Sequence, residues 1–316
     1  MNRFKPNRKM SLKIAMTKSM LLIVGILFQL PVFAQVTVQV ITKKIEKTYN
    51  YQDGYELNIE GEKAQVSIES WDQDKISITL EITAKHPDKA IAERDLEAMQ
   101  YLTQKVKNKI YLRNYLSPKE GAPAPEASFE AVYYVRVPPA CPVYLKNYFG
   151  VANISNLNNR FRFNGEFSKI DLENISGSID LRSRFGDIFG NHLDGIVNIW
   201  SRRSNVTLND IRGSFDITAQ YGTLRIFAED RLLKLNIDAE KSDVYFFNPN
   251  PEFYGYTLTA NNGNVVFPGE LSYEEEDNKA DQRKIKFKPP REYFANITIT
   301  VTIGDIHVEK ATQPKM

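Results

Sequence analysis

Cysteine, tryptophan and histidine are nearly absent from this sequence: one Cys, two Trp and three His in 316 residues. A single thiol excludes an internal disulfide, so the fold must stand on its hydrophobic core. That thiol, Cys141, lies in Val137-Pro-Pro-Ala-Cys-Pro-Val143 with no basic neighbour to lower its pKa, and reads as structural. His86, His192 and His307 fall in three unrelated contexts, and no His/Cys/Glu set has metal-ligand spacing. No glycine-rich phosphate loop, nucleophile elbow or Cys/His pair is present, so neither a cofactor nor a metal is expected. The net charge of +2 gives no reason to expect nucleic acid as a partner.

Long apolar runs are also scarce, and the one that exists is amino-terminal. Arg3, Lys5, Arg8, Lys9, Lys13 and Lys18 precede the run from Met20 to Ala34, about 15 residues and interrupted by Pro31. That is short for a bilayer span but fits a signal-peptide core. Val32-Phe33-Ala34 offers a cleavage site before Gln35, so residues 1–34 are expected to be a signal peptide, with Met10 or Met16 as alternative starts. The mature chain is then expected in the periplasm, on the outer-membrane surface or outside the cell, with no transmembrane segment after cleavage. No Cys stands at the cleavage point to carry a lipoprotein anchor.

What the chain has is sheet-forming residues. Tyr (16) and Phe (18) are plentiful, and apolar residues make up 42% against 25% charged. In residues 35–145, Tyr55-Glu-Leu-Asn-Ile59, Ala64 to Trp71 and Lys75 to Ala84 alternate apolar and polar groups, the period of half-buried strands. Asp88 is a candidate N-cap for a helix over about 88–106, on which Ile91, Leu96, Met99, Leu102 and Val106 form an apolar stripe. Strands resume at Lys109–Tyr115 and Ser128–Val137, separated by a Pro-rich surface loop over 117–126.

Residues 146–310 repeat. Rows of 18 beginning at Lys146, Asn164, Arg182 and Trp200 align without a gap; two less regular rows begin at Thr218 and Asp238. One column reads Gly150, Ser168, Gly186, Ser204, Gly222, Ser242, Gly263, a small residue where a tight turn is expected. Apolar columns include Phe161, Ile179, Val197, Phe215, Leu235 and also Phe163, Leu181, Ile199, Ile217, Ile237, Leu258. Polar columns lie between them. Such ladders predict an all-β fold: a single-stranded β-solenoid of about 18 residues per coil, preceded by the β-rich region with its one helix. An insertion is expected at about 269–291. Hexapeptide-repeat helices need an aliphatic residue every sixth position, which the uneven spacing here excludes. Polysaccharide-lyase helices have longer coils, with clefts built from insertions.

The segments Val66-Ser-Ile-Glu-Ser-Trp-Asp72, Tyr134-Val-Arg-Val-Pro-Pro139 and Leu145-Lys-Asn-Tyr-Phe-Gly150 carry a resemblance. So do the turns Phe185-Gly-Asp-Ile188 and Tyr221-Gly-Thr-Leu224 and the Ile/Leu-x-Gly corners. Through them, most of the mature chain resembles a bacterial family of exported, adhesin-like β-solenoid proteins of unknown function, related to auto-transporter adhesin head domains and common in Bacteroidetes. The resemblance implies a fold and supplies no catalytic residues. Arg203 and Lys241 depart from the pattern, because the aromatic before the turn is lost there.

Two candidate chemistries remain. Asp180 and Asp216 share an outward column two rows apart, roughly 9 to 10 Å, with Asn198 between them. A glycan-processing enzyme, hydrolase or lyase, is therefore the alternative function. The acidic run Tyr273-Glu-Glu-Glu-Asp277 with its basic sequel reads as a solvated loop. Strand alternation, however, puts Arg162, Arg182, Arg184 and Arg202 on one outer face around an exposed Trp200. Guanidinium groups beside an indole suit an anionic envelope glycan or another envelope protein. The expected role is a non-catalytic, adhesin-like binding or scaffolding module.

Overall fold

The computed structural model describes residues 37–311, apart from the side chains of residues 277 and 278. The expected signal peptide lies outside the described residues. The chain divides into two units, Met1–Val38 and Gln39–Met316, and every described strand and helix belongs to the second. That unit is all-β with one α-helix among the described residues.

The elements in chain order are β1 (Gln39–Asn50), β2 (Glu56–Glu62), β3 (Ala64–Ser70), β4 (Lys75–His86), α1 (Lys89–Leu96), β5 (Met99–Val106), β6 (Lys109–Leu116) and β7 (Ser128–Val137). Then come β8 (Val143–Tyr148), β9 (Val151–Ser155), β10 (Phe161–Glu166), β11 (Lys169–Arg184), β12 (Ile188–Arg202) and β13 (Val206–Asn248). The last are β14 (Gly255–Asn261), β15 (Val265–Val266), β16 (Glu274–Lys279), β17 (Gln282–Phe287), β18 (Asn296–Thr302) and β19 (Ile306–Lys310).

Through the middle of the sheet the pairing is parallel and in register at an offset of 18. Phe161 pairs with Ile179, Ile179 with Val197 and Val197 with Phe215. Along each straight run alternate residues point inward and are buried; the alternation breaks at the corners, as at Glu173–Asn174 and Asn191–His192. Phe161, Phe163, Phe215 and Phe246 are among the largest fully buried side chains. One row alone has no partner for its apolar face; stacking supplies it.

At both ends the rows leave sequence order. β2 and β3 lie between β6–β7 on one side and β8–β9 on the other, all parallel. At the other end β18 and β19 slot between the last row of β13 and β14–β15. Leu258 therefore stacks on Ile299, not on Ile237, and Val265 stacks on Ile306, not on Val244. Column composition could not reveal this, because each swapped row offers an apolar residue of the same kind. Antiparallel strands then cover the outermost rows: β5 on β6, β4 on β7 with β1 beyond, and β17 on β14 with β16 beyond. Such strands occupy the hydrogen-bonding edges that a parallel stack leaves open.

Two expectations are corrected here. The helix is α1 alone, capped by Asp88, whose carboxylate accepts from the Ala90 N–H at 2.8 Å. Residues 99–106 form β5, since pairing with the open edge of β6 satisfies a full row of backbone groups that a helix would leave unmet. Leu102 and Val106, expected on the apolar stripe, are half-buried and exposed. The acidic run is not a free loop either. It forms β16 of a hairpin, where Arg283 meets Glu275 at 3.2 Å and Lys284 and Lys286 both hold Glu276.

The small-residue column also works differently from a simple turn. The left-handed residue is the one before it: Phe149, Phe167, Phe185, Arg203, Tyr221 and Lys241 all have φ between 49° and 59°. The small residue is required by the neighbouring row. A Cβ on Gly186 would sit 2.1 Å from the Ser168 carbonyl oxygen, and one on Gly222 would sit 2.2 Å from that of Ser204. The alternate serines Ser168, Ser204 and Ser242 tie the rows together. Their Oγ atoms accept from the N–H of Gly150, Gly186 and Gly222 at 3.1, 3.2 and 3.2 Å.

Candidate functional site

The register places the expected basic face directly. Asn164, Arg182, Trp200 and Thr218 are successive neighbours in one outward column, and Glu166, Arg184, Arg202 and Gln220 in another. Buried Phe163, Leu181 and Ile199 anchor the strands from the inside, so these side chains face out. Asn164, Arg182, Arg184 and Trp200 line a shallow recess of about 380 Å³. Arg184 donates to Glu166 Oε2 at 2.9 Å. The side chains of Arg182, Arg202 and Trp200 have no hydrogen-bond or ion-pair partner among the described residues.

Arg162 is not brought into this recess. Its register partner is Asp180, one outward column away, and its guanidinium lies 3.5 Å from Glu56 and 4.6 Å over the Tyr144 ring. Glu56 is 5% exposed and also meets Arg160 at 2.9 Å and Lys109 at 3.4 Å. Burial pushes its carboxyl up, and the Asn58 amide with the charges of Lys109 and Arg162 more than offset this, leaving it below the usual range. Arg162 thus belongs to a structural cluster.

A second recess, about 500 Å³, lies on the other strand of each row. Its long axis follows the column Tyr134, Ser67, Asn153, Asp171, Phe189, in which each residue pairs with the next. Beside it runs Arg136, Glu69, Ser155, Glu173. Tyr134 and Phe189 are 54% and 41% exposed, and their rings touch no other ring or cation among the described residues. Glu173 is held by Asn191 at 2.9 Å and His192 at 3.2 Å, and Arg136 lies over Trp71 at 4.5 Å. Glu69 and Asp171 have no partner among the described residues. Sequence reading missed this groove because its two aromatic ends come from segments 55 positions apart, joined only by the swapped row order. The available signal was Tyr134 itself, the outward member of a Tyr-Tyr pair whose partner Tyr133 is fully buried.

The exposed corner column forms a ladder. Phe149 stacks on Phe167 at 5.0 Å and Phe167 on Phe185 at 4.7 Å, with planes within 5°. Arg203 continues it, over Phe185 at 5.4 Å and Tyr221 at 5.9 Å, and Lys241 follows over Tyr221 at 5.1 Å. The lost aromatics are replaced by cations on ring faces. Where the repeat is broken, Leu233, Phe253, Arg291 and Tyr293 line a further recess of about 500 Å³, with Arg291 over Phe253 at 4.0 Å.

Reactive groups are sparse. Asp180, Asn198 and Asp216 are successive register partners, and Asp216 is engaged by Asn236 at 2.6 Å and Lys234 at 3.5 Å. Among the described residues no group of three His, Cys, Asp or Glu side chains could hold a metal ion. Cys141 is buried, and burial pushes its thiol up to about 12. No helix among the described residues is long and apolar enough to cross a membrane.

No protein-family model and no curated protein matches the chain. Similar solved structures include a proposed adhesin from Parabacteroides merdae (12% identity, TM-score 0.43, covering 86% of this chain and 96% of that one). Others are a proposed adhesin from Bacteroides fragilis (10%, 0.42, 84% and 97%) and a proposed lipid-binding protein from Parabacteroides distasonis (13%, 0.36, 84% and 96%). At TM-scores below 0.5 these likenesses assign no role to this chain.

Proposed function

We propose that the chain is an exported, non-catalytic β-solenoid, with about 18 residues per coil through its middle, acting in the cell envelope or at its surface as a binding or scaffolding module. The 18-residue parallel register supports the solenoid reading, because each row supplies the edge its neighbour needs. The observation that carries the binding reading is the recess lined by Arg182, Arg184 and Trp200, with Arg202 beside Arg184 in the next row; Arg182, Arg202 and the indole have no partner among the described residues. Its occupant is an anionic envelope glycan. Carboxylate or sulfate groups take paired hydrogen bonds from the arginines while a sugar ring packs on the indole.

The test is titration of the purified protein with polygalacturonate at several salt concentrations. Binding that weakens with salt, and falls at least tenfold in the double variant Trp200→Ala/Arg202→Ala, is expected. Both residues lie on the outward side of β12, Trp200 half-buried and Arg202 exposed, and an unchanged circular dichroism spectrum shows the variant folded. No binding by the parent, or equal binding by the variant, overturns the assignment; so does capture only of an acidic protein. Turnover of the polysaccharide without added factors would overturn the non-catalytic half.

A further inference from the structure

We infer that the groove between Tyr134 and Phe189 is a second, independent binding site, and that it takes a neutral oligosaccharide laid along the stack of rows. Two aromatic rings, Tyr134 and Phe189, bound its ends, and they differ from the stacked rings of the corner column. The corner rings Phe149, Phe167 and Phe185 stack on one another, so Phe167 has a ring on each face and Phe149 and Phe185 one each. Tyr134 and Phe189 are exposed and meet no ring or cation among the described residues, and a pyranose presents a sheet of C–H groups that packs on such a ring.

The floor between the rings is low. Ser67 and Asn153 are short, so a ligand can lie across three rows between two walls about 19 Å apart, four strand spacings. The polar groups there are mixed. Arg136 and the Asn153 amide donate, whereas the carboxylates of Glu69 and Asp171 accept and have no partner among the described residues. Sugar hydroxyls both donate and accept, and satisfy such a set from either side. An acidic glycan is disfavoured, because Glu69, Asp171 and Glu173 outnumber Arg136 in the groove. An added peptide strand is disfavoured too. β3, β9 and the start of β11 are each paired on both sides, so no backbone edge is open for it. The two faces therefore sort ligands by charge, the arginine face for anions and the groove for uncharged chains.

The test is calorimetric titration of the purified protein with cello-, xylo- and manno-oligosaccharides, with polygalacturonate and oligolysine as the charged comparisons. At least one neutral series should bind. Tyr134→Ala and Phe189→Ala should each weaken that binding about tenfold, and Asp171→Ala likewise, while binding of polygalacturonate stays unchanged. Conversely Trp200→Ala/Arg202→Ala should leave the neutral ligand untouched, so failure at one face is separable from failure at the other. An unchanged circular dichroism spectrum and thermal midpoint would show the variants folded. Absence of binding by every neutral series, binding indifferent to the three substitutions, or retention of oligolysine alone overturns the inference.

Discussion

The middle of this sheet and its two ends solve the same problem by different means. From β10 to the first part of β13, each row pairs with the row 18 residues on, and chain order is spatial order. At the carboxy-terminal end the chain overshoots one slot and fills it on the way back. At the amino-terminal end it lays the inner row first, then the outer row, then continues on the inner row's other side, and antiparallel strands cover both outermost rows. The middle can repeat because every row is covered by its neighbours. An end row has a neighbour on one side only, so its open edge must be paired by something that is not a copy of itself. The swap ties each outer row in place: the chain must return inside it, and it cannot peel away without exposing the row beneath. The Tyr134 groove spans the junction of the two regimes, whereas the Arg182 and Trp200 recess lies in the middle.

The comparison breaks most sharply at glycine. Gly186 lies in the middle, where a Cβ would meet the backbone of Ser168 at 2.1 Å, whereas Gly269 lies at the carboxy-terminal end with nothing within 4 Å. Neither has a left-handed φ, so the contrast isolates packing from backbone strain. Gly186→Ala should destabilise by about 3 kcal/mol, because two rows must separate for one methyl group. Gly269→Ala should stay within about 0.5 kcal/mol of the parent. Urea unfolding of both variants measures the difference, and equal midpoints would show that the rows are not held at the spacing described.

This contrast also separates what the sequence could reveal from what it could not. Phe161, Ile179, Val197 and Phe215 announce a ladder because register and repeat coincide, and strand pairing follows at once. Row order at the ends is invisible, since Ile299 and Leu258 are interchangeable as apolar neighbours of Ile237. The β5 strand was hidden by a spacing that suits an amphipathic helix equally well. Of the expected basic face, the columns of Arg182, Arg184, Trp200 and Arg202 follow from alternation alone. Arg162 was misplaced because its partner Glu56 is 106 residues away in sequence and reaches it only through the swapped row. The groove was missed for the same reason. Side chains facing one another across the repeat are legible; those assembled by the ends are not.

Besides Glu56, the amino-terminal end holds a second buried carboxylate. Asp95 is 3% exposed and accepts from Arg94 Nε at 2.7 Å and from the N–H groups of Glu126 and Ala127 at 2.7 and 2.9 Å, tying the long loop after β6 to α1. Burial pushes its carboxyl up, but the Arg94 bond, the two backbone donors and the Arg94 charge outweigh this and hold it below the usual range. A folded-state value below the unfolded one means stabilisation that is complete above about pH 4 and lost as pH falls through the folded value. Asp95→Ala should cost about 2 kcal/mol at neutral pH, since two backbone donors lose their acceptor. The cost should shrink on acidification. Urea midpoints of parent and variant between pH 7 and pH 3 test this, and a pH-independent difference would contradict the assigned charge.

The smallest expected effect tests the middle again, at its surface. Arg203 occupies a position where neighbouring rows carry aromatic rings, and its guanidinium lies over Phe185 and within reach of Tyr221. If the corner ladder is maintained by planar stacking, Arg203→Phe should restore an unbroken run from Phe149 to Tyr221 and change stability by no more than about 0.5 kcal/mol in either direction. Arg203→Ala should cost up to about 1 kcal/mol, because two ring faces lose their cover and the alanine must hold the left-handed φ of 52° alone. Lys at the same position should fall between them, as its ammonium covers a ring but lacks the flat face of a guanidinium. The order Phe or Arg, then Lys, then Ala in thermal midpoint supports a stacked ladder. An order in which Lys equals Arg and Phe is worst would mean that charge at this corner matters and stacking does not.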